Sequence, residues 1–85
     1  MRFTSGLFYA HKNFKDVFFR VDKVHHAGYN YTKASITWYN AGSSQVWTII
    51  GERNVKLPTA GLGDYTRASD INFIAEQIRA RRNNK

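Results

Sequence analysis

Aromatic and basic residues share the alternate positions of two segments that are otherwise rich in β-branched residues. Phe18 and Arg20 lie two residues apart in the first segment, and Lys33 and Tyr39 occupy positions of one parity in the second. Residues separated by an even number of positions lie on the same face of a β-strand. Rings can stack on bases and cations can neutralise phosphates, which is the chemistry that single-stranded nucleic acid requires. The pattern therefore predicts a nucleic-acid-binding sheet face that carries these four residues. The alternative is that the helix or the first strand covers Phe18 and Tyr39, since one helix covers part of one face of the sheet, and that the lysines serve solubility.

Further cations precede the first segment and end the chain. Lys12 and Lys15 lie in a polar loop before the first segment, and Arg79, Arg81 and Arg82 lie near the C-terminus. Such residues contact phosphates or acidic protein surfaces, arginine with a directional fork. All five are candidate binding residues. For Arg79 the alternative is a structural role, because the negative C-terminal end of a helix favours a nearby cation.

The charge balance of the chain defines its partner class. Thirteen Lys and Arg residues against six Asp and Glu residues give a net charge of +7, which favours nucleic acid or an acidic protein surface. Charge alone does not separate these two partners. The first hypothesis is a small basic nucleic-acid-binding module. The alternative is a protein-interaction module that docks on an acidic protein surface, such as a viral or phage-type inhibitor, assembly factor or virion protein.

Catalysis, metal binding and cofactor binding find little support in the residue types. The chain has no cysteine, which excludes thiolate chemistry, disulfides and iron–sulfur clusters. His25 and His26 are adjacent, so in a strand they point to opposite faces and suit one metal ion poorly. No G-x-S-x-G elbow is present, and Gly61 and Gly63 lack the third glycine and the βαβ setting of a dinucleotide site. We predict neither an enzyme nor a metal site nor a cofactor.

The hydrophobic pattern predicts an α+β domain, a small antiparallel β-meander of four to five strands followed by one C-terminal α-helix. The domain is predicted over residues 1–82, with the meander at 3–57, a loop at 58–68 and the helix at 69–82, before a frayed basic tail at 83–85. The predicted strands are Phe3–Ala10, Val17–His25, Tyr31–Tyr39, Gln45–Ile50 and Arg53–Leu57. This order of elements resembles small SH3-like and OB-like barrels.

The register of the sheet follows from matching apolar faces, since a slip of one residue would turn every core side chain outward. The predicted cross-strand pairs are Phe19–Ile36, Val21–Ala34, Asp22–Lys33, Trp38–Trp47 and Ile36–Ile49. The apolar members of these pairs are expected to form the core. Ile74 and Ile78 of the helix are expected to pack against the sheet.

The C-terminal helix has its own signals. Ser69 is predicted to cap it, and Asp70 suits its positive end. An apolar stripe at three- and four-residue spacing is predicted to face the core, widened by Phe73. The members of the stripe are Ile71, Ile74, Ala75 and Ile78.

The apolar runs of the chain are short. None approaches the roughly 18 residues of a membrane span, and the N-terminal residues lack the apolar stretch of a signal peptide. We therefore expect a cytoplasmic protein without a membrane span.

Overall fold

The computed structural model describes residues 2–42 and 45–83. Its elements are β1 (Phe8–His11), β2 (Val17–Ala27), β3 (Tyr31–Asn40), β4 (Trp47–Pro58), a 3₁₀ helix (Thr59–Asp64), β5 (Tyr65–Ala68) and α1 (Ile71–Asn83). Within these ranges the strands form a five-stranded antiparallel sheet in the order β4-β3-β2-β1-β5. The predicted α+β fold with an antiparallel sheet and a C-terminal helix is confirmed. The sheet is not closed, so its likeness to a small barrel is loose.

Alternation of side chains along the long strands gives the sheet two apolar faces. On one face Phe19, Val21 and Ile36 pack with Phe3 from the N-terminal segment and with Leu62 from the 3₁₀ helix. The opposite face, called the helix face below, packs against α1. The buried aromatic residues of the helix face are Phe8, Phe18 and Tyr39.

The register between β2 and β3 differs from the predicted register by two residues. Phe19 lies opposite Trp38 and Val21 lies opposite Ile36, rather than opposite Ile36 and Ala34. The turn between the strands comes two residues later than predicted, which shifts the pairing register near the turn. Two bulges in β2 then remove part of that shift, and two residues of it remain at Phe19 and Val21. Because the net slip is even, the side chains of Phe19, Val21 and Ile36 keep their predicted face.

Strand β4 runs unbroken through residues 47–58, where the sequence predicts two shorter strands. Ile36 pairs with Arg53 and Trp38 pairs with Ile50, because irregularities in the ladder shift β4 against β3. The predicted Trp38–Trp47 and Ile36–Ile49 pairs are therefore wrong.

The first half of β4 is also less buried than predicted. Trp47 and Ile49 are 48% and 46% exposed, so the prediction that they belong to the core is wrong. The physical reason is their position, because β4 forms an edge of the sheet, where only β3 pairs with it among the described strands.

The segment predicted as a loop at 58–68 contains the 3₁₀ helix and β5, which pairs with β1. The N-terminal strand is shorter than predicted because Gly6 adopts a left-handed conformation with φ of 88°. A hydrogen bond from Gly6 N to Val21 O (2.7 Å) fixes this turn. The strand then begins at Phe8, while Phe3 remains buried on the face opposite the helix.

Helix α1 buries the apolar stripe that the spacing of its hydrophobic residues predicts. Ile74, Ala75 and Ile78 are buried against the helix face, and Ile71 is partly buried beside them. Phe73 is 50% exposed because it lies about 100° around the helix from its neighbour Ile74, so it does not widen the stripe. Within the described ranges, no helix has the length and apolar character needed to cross a membrane.

The helix begins with a cap from Asp70 rather than from Ser69. The Asp70 Oδ1 atom accepts a hydrogen bond from Asn72 N (2.9 Å), and the Asp70 carbonyl accepts one from Ile74 N (3.2 Å). These are the bonds of an N-cap residue, which satisfies donors that a helix start leaves unpaired.

We expect Asp70→Ala to lower the free energy of unfolding by about 1 kcal/mol, because the variant loses the capping acceptor. Ser69→Ala is the matched control and should change it by less than about 0.5 kcal/mol. Urea denaturation followed by tryptophan fluorescence measures both variants. A larger loss for Ser69→Ala than for Asp70→Ala would contradict the assignment of the cap.

Candidate nucleic-acid interface

Phe18 and Tyr39 lie beneath the helix and not on an open surface. Phe18 is 0% exposed and Tyr39 is 9% exposed. Their rings stack with centroids 5.4 Å apart, and they share a buried cluster with Ile74 and Ile78 of α1. The prediction that these two rings form an exposed stacking platform is therefore wrong. The helix docks on the part of the helix face that carries them.

Arg20 is engaged within the protein. Its Nε atom lies 2.7 Å from Asp22 Oδ1, and Thr37 Oγ1 donates a hydrogen bond to Asp22 Oδ2 (2.5 Å). The hydrogen bond that Arg20 donates to the Asp22 carboxylate raises the pKa of Arg20 above its ordinary value, although partial burial opposes this. The predicted cross-strand pair of Asp22 with Lys33 is wrong, because Asp22 lies at a bulge and turns toward Arg20.

Beyond Arg20 the helix face continues along β2, β3 and β4, past the part that α1 contacts, and there it becomes basic. Lys23 lies opposite Ser35, and Lys33 lies opposite both His26 and Lys56. Directly opposed residues share a face, and Ser35 and Lys33 lie two residues apart on β3. Lys23, His26 and Lys56 therefore lie on one face with Lys33, and all four side chains are exposed. We call this surface the basic end of the helix face. It consists of Lys23, His25, His26, Tyr31, Lys33 and Lys56.

Exposed tyrosines accompany the cations of the basic end. Tyr31 is 37% exposed, and Lys56 Nζ lies 5.0 Å from its ring centroid. Tyr29, in the turn between β2 and β3, is 97% exposed. The sequence reasoning missed both rings. The signal was present in the alternation of Tyr29, Tyr31 and Lys33 at every second position, which places Tyr31 and Lys33 on one strand face.

A polar network centred on the buried Ser35 lies within the basic end. His25 Nε2 lies 2.7 Å from Ser35 Oγ, and Ser35 Oγ donates a hydrogen bond to Asn54 Oδ1 (2.7 Å). The direction of the hydrogen bond between His25 and Ser35 depends on the tautomer of His25. The network joins side chains of β2, β3 and β4, and Ser35 at its centre is only 5% exposed.

The basic end is concave. His25, Lys33, Asn54 and Lys56 line a depression of about 470 Å³, which lies within the range of small-ligand pockets. Two lysines and a histidine at its rim suit an anion.

The other predicted cations lie at the opposite end of β2. Lys12, Lys15 and Arg81 line a second depression of about 300 Å³ together with the exposed ring of Phe14. Lys12 Nζ forms an ion pair with Asp64 (3.1 Å). The predicted site is thus divided, with Lys33 at one end of the sheet and these residues at the other.

The predicted arginines of the helix have different environments. Arg79 is partly buried and its Nε donates a hydrogen bond to the Ala41 carbonyl (3.1 Å), which ties the helix end to the sheet. Arg81 is exposed. The side chain of Arg82 and residues 84–85 of the tail predicted at 83–85 lie outside the described part of the chain.

Among residues 2–42 and 45–83, no group of three or more His, Asp or Glu side chains is placed to hold a metal ion. Comparison of the chain with protein-family models, with curated proteins and with solved structures finds no match.

Proposed function

We propose that this protein binds single-stranded nucleic acid through the basic end of the helix face and the adjoining Tyr29. The observation that carries the proposal is the interleaving of exposed rings and cations, with Tyr29 and Tyr31 beside Lys33 on one hairpin and Lys56 on the next strand. Exposed rings stack on bases, and neighbouring ammonium groups neutralise the phosphates between them.

The charge at this surface supports the proposal. The ion pairs of the described residues join Lys12 to Asp64 and Arg20 to Asp22, and neither involves a lysine of the basic end. The ammonium groups of Lys23, Lys33 and Lys56 are therefore available to phosphates. Their field adds to a net charge of +7, which raises the rate of encounter with a polyanion.

The tyrosines favour a single strand over a duplex. A stacking ring needs an unpaired base with a free face, and Tyr29 projects from a turn with nearly its whole side chain in solvent. Lys56 lies beside the Tyr31 ring. A base stacked on that ring would therefore have a cation next to it, at the position where the phosphate backbone of the nucleic acid passes.

The test is a fluorescence anisotropy titration with a labelled oligothymidylate of about 12 nucleotides at low salt. Tyr29→Ala and Tyr31→Ala should each reduce affinity by about 1–3 kcal/mol, or about 5- to 150-fold, with the salt slope unchanged, because stacking releases no counterions. Lys33→Ala should instead reduce the salt slope by about 0.7, the value for one single-strand phosphate contact.

Phe73→Ala is the matched control, because Phe73 is a half-exposed ring on the helix, far along the chain from the hairpin. Its affinity should equal that of the wild type. Absence of binding at about 20 mM salt, or an equal loss for Phe73→Ala and Tyr31→Ala, would contradict the proposed function.

A further inference from the structure

The first half of β4 presents an apolar edge. Trp47, Ile49 and Ile50 are 48%, 46% and 38% exposed, and residues 47–51 contain no charge. β4 is an edge strand of 12 residues, and no strand of the described ranges pairs with its outer side. Soluble proteins usually shorten such an edge or place charges on it. An uncharged, apolar edge segment is therefore a surface that another chain can cover.

The edge continues into a patch on the face opposite the helix. Ile50 lies opposite Trp38, and Trp47 lies opposite Asn40, two residues further along the same strand face. The partly exposed ring of Phe14 lies 5.9 Å from the ring of Trp38. Tryptophan and other aromatic side chains dominate the binding energy of protein interfaces. The apolar patch below means Phe14, Trp38, Trp47 and Ile50.

We infer that the apolar patch and the free edge of β4 bind an extended, acidic segment of a partner protein, which pairs with β4 as an added strand. In this mode backbone hydrogen bonds supply affinity, and side chains at alternate positions supply specificity. Apolar side chains of the segment contact Trp47 and Ile50. The inference is independent of the proposed nucleic-acid function, because it uses a different strand edge and the opposite face.

Charge identifies the partner as acidic. Arg53 lies on the patch face of β4, opposite Ile36, and continues the strand after Ile50. Lys15 adjoins Phe14 in the loop before β2. The carboxylate that β4 carries, Glu52, borders Arg20 and Thr37 around a depression on the helix face. An acidic segment is therefore attracted to this edge, and a basic one is repelled.

Area and charge both disfavour a second copy of this chain as the occupant. Large aromatic side chains bury about 150–250 Å² each, so the half-exposed residues of the patch offer on the order of 300–400 Å². A stable interface needs about 800 Å² from each partner. A second copy also carries a charge of +7, which opposes self-association. A short acidic peptide carries the opposite charge, and its backbone adds hydrogen bonds along the β4 edge to the contacts of the patch.

The test uses a fluorescein-labelled peptide of about eight residues that alternates aspartate with isoleucine or valine. Anisotropy titration should show binding to the wild-type protein that falls more than about tenfold in Trp47→Ala and in Ile50→Ala. A peptide with lysine in place of aspartate should not bind. A peptide of the same composition with its aspartates grouped at one end should bind more weakly, because alternation places the apolar side chains on one face.

Two control variants separate this inference from loss of fold and from the proposed function. Phe73→Ala removes an exposed ring elsewhere, and Tyr31→Ala removes a ring of the basic end; both should bind the peptide as the wild type does, with unchanged circular dichroism. Equal peptide affinity in Trp47→Ala and the wild type would overturn the inference. So would a concentration-dependent dimer that Trp47→Ala abolishes, since the edge would then belong to a second copy.

Discussion

Phe18→Ala is expected to lower the free energy of unfolding by about 3–5 kcal/mol, the range for removing a buried aromatic ring. Phe18 is 0% exposed, stacks on Tyr39 and meets the edge of the Phe8 ring. Removal of the ring leaves a cavity between the sheet and the helix, and the surrounding side chains relax only partly into it. Because small domains are stable by only about 5–15 kcal/mol, the variant should lose a large share of its stability. Urea denaturation measures the change.

Tyr29→Ala is the matched control, since it removes a similar ring that is 97% exposed. It should change the free energy of unfolding by less than about 0.5 kcal/mol while weakening oligonucleotide binding. Should Phe18→Ala fail to fold, Phe18→Leu keeps most of the volume and permits the same comparison. A folded Phe18→Leu protein that bound oligothymidylate as weakly as Tyr31→Ala does would contradict the burial of Phe18 and return it to the interface.

The contrast between Phe18 and Tyr31 shows which part of the site the sequence could predict. Alternation assigns Phe18, Arg20, Tyr31 and Lys33 to strand faces, because side-chain direction has a period of two. It carries no information on which part of a face a distant helix will cover. Docking of α1 is decided by the fit of Ile74 and Ile78 to the sheet, a long-range contact, and it buries one end of the face while leaving the other open.

The fold shows a similar division between local and long-range information. The positions of β2, β3 and α1 follow from local patterns, and the structure confirms these elements with shifts of a few residues. The predicted β2–β3 pairings fail because the turn comes two residues later than predicted and the bulges in β2 cancel only part of that offset, and the β3–β4 pairings fail along the first half of β4, where the ladder is irregular. A bulge adds one unpaired residue to a strand, and nothing in the composition of these segments marks its position. The exposure of Trp47 follows from its edge position, which is also a property of the whole sheet.

Ile74→Ala is expected to lower the free energy of unfolding by about 2–4 kcal/mol. Ile74 is 0% exposed and belongs to the cluster that joins α1 to Phe8, Phe18 and Tyr39. A helix of 13 residues is marginal when isolated in water, so α1 depends on this contact to stay folded.

Phe73→Ala tests the same helix on its solvent side. It removes more atoms than Ile74→Ala does, but from a residue that is 50% exposed, so the expected loss is below about 1 kcal/mol. Thermal unfolding followed by circular dichroism compares the two variants. If Ile74→Ala melted within about one degree of the wild type, the helix would not be docked through this stripe. Phe18 would then be open to solvent, and the basic end would extend over the whole helix face rather than stopping at Arg20.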